Sequence, residues 1–322
     1  MRKHRIAAGI MTAAAAMMVA TTPAATADAV PTAPVDVQTD ARIAVHFDLA
    51  AGQMPENVAL APDGTAYVTF AAARQVAAID RRGNTRVLAT LPAPADGGVN
   101  TPVLRFALTT GIVRTYDGVL HFLYASGDPT STGLYRLVPG GTPQRIAALP
   151  ADGLPNGLAL DSRAGVFYIT DSVRGTISTV PLRGGRATVW SAARELAPSG
   201  FLGANGIKVR GGAVWATNLD QGTLLRIPLR AARPGPVRVV ASGLVGIDDF
   251  DFAGDDVLAA LNGPNKIVRI AADGTAGTML TSADGLQNPT SVAVRGGVVL
   301  VLSAAYTTAR DPNIIIAALP RR

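Results

Sequence analysis

From residue 42 onward the chain alternates short apolar runs with polar, glycine-rich breaks, and the alternation itself repeats over a longer period. One phrase begins with an oxygen-bearing residue, continues as an apolar alternation and ends in a turn. It appears as "ENVALAPDG" (56–64), "TTGIVRTYDG" (109–118), "NGLALDSRAG" (156–165), "NGIKVRGG" (205–212), "DDFDFAGDD" (248–256) and "TSVAVRGG" (290–297). A second apolar run follows each copy ("AYVTF", "VFYITDS", "AVWATN"), then a third ("QVAAID", "TISTV", "KIVRI"). Outer runs such as "TRVLATLP" and "QRIAALP" precede the next copy. The copies start 53, 47, 49, 43 and 42 residues apart. Four short strands at that spacing predict an all-β fold, a six-bladed β-propeller with four-stranded blades over residues 42–322. No helical period competes with it.

The last copy stops after three strands, at "NIIIAALP", whereas "ARIAVHFDLA" (41–50) is an outer-type strand without a blade. Pairing the two completes the last blade, closes the ring and removes an exposed edge. His46, inside that strand, is read as structural.

Composition changes the picture at the N-terminus. A basic start (Arg2, Lys3, Arg5), an apolar run from Ile6 to Ala20 and the small residues of "TTPAATADA" make residues 1–29 a signal peptide, cleaved after Ala27 or Ala29. The apolar run is short for a bilayer span. Residues 30–41 read as an extended leader. The chain has no cysteine, which excludes a lipid-anchoring Cys and disulfides alike. The expected destination is therefore extracellular, with no membrane attachment after cleavage. Three of the cations behind the net charge of +6 leave with the signal. The rest are scattered without a run, so a nucleic-acid partner is not expected. A monomer acting on a small molecule is.

The residue that opens each inner phrase carries the candidate chemistry. These residues are Glu56, Thr109, Asn156, Asn205, Asp248 and Thr290. In a propeller the first strand of each blade lines the central channel, so all six are expected to converge at one end of it. A turn reading accounts for Asn156 and Asn205, each followed by Gly. It accounts poorly for Glu56, and it leaves two carboxylates facing each other in a narrow channel. Glu56, Asn156, Asn205 and Asp248 instead make an oxygen set for Ca²⁺ or another hard divalent cation. Zinc is disfavoured, because the ring holds no Cys or His.

With this quartet, residues 42–322 resemble the gluconolactonase/regucalcin-like six-bladed propellers of the calcium-dependent phosphotriesterase superfamily. That group includes the paraoxonases and the diisopropylfluorophosphatase of squid. The resemblance implies one catalytic divalent cation held by Glu56 ("PEN"), Asn156 ("PNG"), Asn205 ("ANG") and Asp248 ("IDDF"). This chain departs from the gluconolactonase pattern with Thr109 in place of an Asn and Asn205 in place of an Asp. Arg105 lies two residues off the phase of the family's arginine. The paraoxonase His pair is also missing, since His121 sits mid-strand in "VLHFLY" and is read as packed.

The function implied is a secreted, cation-dependent hydrolase of a lactone, ester or phosphotriester, with Asp248 as nucleophile or general base. Asp249 is placed to raise the Asp248 pKa or hold a water. Asp171, Asn218 and Asn262 follow second strands and complete the list of channel candidates. The loops 94–107 and 193–203 are expected at the pocket mouth. The alternative is a non-catalytic extracellular propeller that binds a protein, peptide or glycan around a structural ion. A mouth capped by "GVNTPVLRF" or by a Trp190 loop would favour it. A streptogramin-opening lyase ranks third, for want of a His and acid pair at the ring.

Overall fold

In the computed structural model, which describes residues 40–319, the six phrases become the inner strands of six antiparallel blades around one axis. The signal reading of 1–29, the leader through residue 39 and residues 320–322 lie outside the described residues. The inner strands are Pro55–Leu60, Leu108–Arg114, Pro155–Asp161, Ala204–Arg210, Ile247–Ala253 and Pro289–Arg295. Blades 1, 2, 3 and 5 have four strands in sequence order, and blade 4 adds a two-residue strand, Arg233–Pro234, at its edge.

Blade 6 closes the ring. Its inner three strands come from the C-terminal part of the chain, and Arg42–His46 pairs antiparallel with Asn313–Ala318 as the fourth. The His46 imidazole lies 2.8 Å from Asp311 at this seam. Without disulfides the seam must hold the ends of the ring together. Deleting residues 41–50 is therefore expected to lower the melting temperature by about 10 °C or more. Unchanged calorimetric stability would show that the seam is dispensable.

The core follows from the alternation. Six apolar clusters each lie between two adjacent blades: Val68 and Phe70 of blade 1 pack with Leu302 and Ile314 of blade 6, and Leu158 and Phe167 of blade 3 with Leu123 and Leu134 of blade 2. A seventh lies at the end where the inner strands start, joining Met54, Leu108, Leu154 and Leu202 from different blades.

Every inner strand breaks register near its start: between Pro55 and Asn57, Thr109 and Ile112, Pro155 and Leu158, Ala204 and Ile207, Ile247 and Phe250, and Pro289 and Ser291. A β-bulge kinks a strand and re-aims the side chain at the kink. The Asn-Gly pairs therefore belong to strands, which corrects the turn reading. Their glycines serve close packing. A Cβ on Gly157 would lie 2.3 Å from the Asn205 carbonyl, and one on Gly206 2.7 Å from the Asp248 carbonyl. Threonine hydroxyls stitch the same layer across blades: Thr69 donates to the Thr110 carbonyl at 2.7 Å, Thr110 to Pro155 at 2.9 Å and Thr217 to Asp248 at 2.6 Å.

Candidate functional site

The bulges of blades 1, 4 and 5 bring Glu56, Asn205 and Asp248 into one buried polar group. Glu56 is 7 % exposed, Asp248 6 % and Asn205 2 %. The Asn205 amide hydrogen-bonds Asp248, and Asn262, at the end of the second strand of blade 5, donates its amide to Asp248 Oδ2 at 3.3 Å. Tyr306, in the loop after the second strand of blade 6, donates its hydroxyl to Glu56 Oε2 at 2.5 Å. Asn156 holds the matching bulge position in blade 3. It is buried, and no hydrogen bond from the described residues engages its side-chain amide.

The electrostatics of this group are those of crowded acids. Burial raises the Glu56 pKa to about 7; the Tyr306 hydrogen bond opposes the rise and the Asp249 charge adds to it. Asp248 is pushed well above the usual carboxylate range by burial first, then by Glu56 and Asp249. Tyr306 is raised well above its ordinary value by burial and by the Glu56 charge. Neither Glu56 nor Asp248 forms an ion pair with a described Lys, Arg or His.

Other predicted residues go elsewhere. The Thr109 hydroxyl donates to the Phe70 and Gln75 carbonyls at 3.0 and 3.2 Å, and that of Thr290 to the Pro55 carbonyl at 2.9 Å. Both serve the walls between blades, so the ring expected to present six oxygens to the axis loses two of them. Asp249 lies in the channel, where Lys208 Nζ approaches both its oxygens at 2.7 Å. Asn57 and Ser291 donate to it at 3.0 and 3.1 Å. It is a neutralised layer beside the acidic pair. Asp171 accepts backbone N–H groups of Leu154, Val173 and Arg174 through Oδ1. Asn218 clamps the carbonyls of Glu195 and Ala197 at 2.9 Å and accepts from the Gln221 N–H. Both are loop staples, because a polar group buried in a loop must find backbone partners.

Leu104 and Phe106 from the first predicted mouth loop, and Phe201 and Leu202 from the second, join the apolar cluster at this end with Tyr306. The second loop carries a short 3₁₀ turn, Arg194–Leu196. Trp190 takes no part: it sits in the outer strand Thr188–Ser191 of blade 3, edge-on to Tyr168, and donates to the Ala232 carbonyl.

Among the described residues no group of three or more His, Cys, Asp or Glu is arranged to hold a metal. The candidate set has two carboxylates, and amide oxygens must supply the rest. Two observations fit it to a hard cation: the acids lack a positive partner, and the Asn156 amide lacks a hydrogen bond. Tyr306 escaped the repeat-based reading because its loop is not part of the repeated phrase. Its only sequence signal was an aromatic hydroxyl in "SAAYTTAR".

No family model and no curated protein matches the chain in sequence. Solved structures do resemble it. A gluconolactonase from Xanthomonas campestris superposes with TM-score 0.63 at 15% identity, over 91% of this chain and 99% of that one. A calcium-binding regucalcin from Agrobacterium tumefaciens gives 0.61 at 18%, over 83% and 90%. A catalytically inactive virginiamycin B lyase from Staphylococcus aureus, with quinupristin, gives 0.60 at 17%, over 84% and 82%. The likeness extends across nearly the whole described chain, and what it establishes is the fold: a six-bladed β-propeller of the shape shared by gluconolactonase and regucalcin structures.

Proposed function

We propose that the protein is an exported hydrolase of a lactone, ester or phosphotriester that depends on a divalent cation, calcium by preference. The observation that carries this reading is the convergence of Glu56 and Asp248, with no cationic partner, beside the amides of Asn205 and Asn262. Glu56, Asn156, Asn205 and Asp248 would hold the cation, which supplies Lewis-acid polarisation of a carbonyl or phosphoryl oxygen when bound. Asp248 attacks the electrophilic centre or takes the proton of the attacking water. Asn262 orients the Asp248 carboxylate through Oδ2, and Tyr306 holds Glu56 through Oε2. Leu104, Phe106 and Phe201 pack on the same apolar cluster as Tyr306, the Glu56 partner, and would limit water at the acids. The likeness to a gluconolactonase and a lyase adds that this fold carries enzymes.

The mature chain should be assayed against aryl acetates, simple lactones and an aryl phosphotriester, in calcium and in chelator. Turnover of at least one class, lost in chelator and restored by calcium, is expected. A folded, calcium-saturated protein that turns over none of them would remove the catalytic reading. A second reading, a binding propeller with a structural ion, draws on the burial of the quartet and on the apolar cluster that Leu104, Phe106 and Tyr306 join at the same end of the inner strands. Calcium that raises the melting temperature without eliciting turnover would favour it.

A further inference from the structure

The far end of the inner strands has a chemistry of its own. In the strand Leu108–Arg114, Arg114 comes three to four residues after the bulge at Thr110 and Gly111, about 10–13 Å from that layer. Across the pairing, His121 faces Val113 on one side and Arg136 on the other. Arg114, His121 and Arg136, together with Leu160 and Arg183 of blade 3, line a cavity of about 450 Å³ between blades 2 and 3.

Two of its lining residues carry a buried, unpartnered nitrogen: Nδ1 of His121, a residue only 3 % exposed, and Nε of Arg114, whose terminal guanidinium nitrogen donates to the Thr115 carbonyl at 3.3 Å. Such groups are costly to leave unmade. Among the described residues none of Arg114, Arg136 and Arg183 is ion-paired to a carboxylate. The one acid in the lining, Asp117, is engaged by the Thr115 hydroxyl at 2.6 Å and the Val119 N–H at 3.4 Å. Burial, then the Arg136 charge, lowers the His121 pKa to about 4 against the opposing Asp117 charge, so the imidazole is neutral at pH 7. Val119, Leu160 and Leu182 give it an apolar side, and the Tyr116 ring at its rim is fully exposed.

We propose that this cavity is a second binding site, for a tetrahedral oxyanion of the phosphate or sulfate kind borne by a small molecule. Three guanidiniums and an imidazole approaching from both blades match an acceptor with oxygens in several directions, and guanidinium forks suit such groups. The apolar wall and Tyr116 would receive the organic part of an ester. The site is independent of the hydrolytic reading, which concerns the other end of the channel.

The test is calorimetric titration of the mature protein with inorganic phosphate, sulfate and 4-nitrophenyl phosphate, followed in parallel by NMR of the His121 ring. Saturable binding with Kd below about 1 mM is expected for at least one probe, with a shift of the His121 resonances. The double variant R136A/R183A alters two exposed side chains and should weaken binding about tenfold or more. R81A/R82A, in a turn of blade 1 at the same end, should change it less than about twofold. An ester that outbinds inorganic phosphate points to an organic ligand, and equal affinities point to the free anion; either supports the site. No saturable binding of any probe, or an equal loss in both double variants, overturns it.

Discussion

Asp248→Asn is expected to reduce turnover about a thousandfold or more, and to leave the metal-free protein as stable as the parent or more so. The two effects have one cause. In the absence of a cation the Asp248 carboxylate is buried beside Glu56 and Asp249, and burial first, then those two charges, raises its pKa. Asparagine keeps the shape and removes the charge, so the fold loses a repulsion while the chemistry loses its nucleophile or base. A residue that served only to hold the fold would give the opposite stability result. Full activity in the variant would take Asp248 out of the reaction. Full inactivity with a large drop in cation-free stability would make it a structural residue instead.

Calcium is expected to raise the melting temperature more at pH 8 than at pH 5. Glu56 has a folded pKa of about 7 against its ordinary value of 4.5. Between those values the folded state holds more protons than the unfolded chain, so metal-free stability falls as pH rises through the window and stays low above it. For one such group the penalty is about 3 kcal/mol, and the raised Asp248 contributes with the same sign. A cation on these oxygens stabilises the ionised form, and at a hundred times its Kd adds about 2.7 kcal/mol. His121 works the other way. Its folded pKa of about 4 makes stability fall as pH drops below the ordinary histidine value. That contribution is common to the calcium and chelator samples, so the difference between their melting temperatures isolates the carboxylates. A calcium shift of equal size at pH 5 and pH 8 would place the ion elsewhere.

Much of the fold was legible along the chain because a propeller blade is a local object. Each of its strands pairs with the next one in sequence, so the alternation and the turn residues recur with each copy. The seam was legible from its incompleteness: three strands at one end of the chain and one at the other. The position opening each inner phrase was legible in five blades, where that residue falls inside the β-bulge; in blade 2 Thr109 is paired with Tyr124 and the bulge falls one residue later, at Thr110 and Gly111. What the opening residue does there was not. Thr109 and Thr290 carry hydroxyls short enough to reach backbone carbonyls in the wall, and they bond there. Glu56 extends past the wall to Tyr306, and Asp248 meets amides from two blades.

By itself the sequence determined the number of blades, their closure by the N-terminal strand, and a polar position at the head of every inner strand. These depend on period and pairing between neighbours, which a linear pattern records. Only the tertiary structure decided which of those polar groups meet, that Lys208 neutralises Asp249 but leaves Glu56 and Asp248 uncompensated, and that arginines scattered through blades 2 and 3 border one cavity. Charge and hydrogen-bond partners act through a few ångströms of space. The segments that supply them lie tens to hundreds of residues apart, and closing the ring is what brings them within reach.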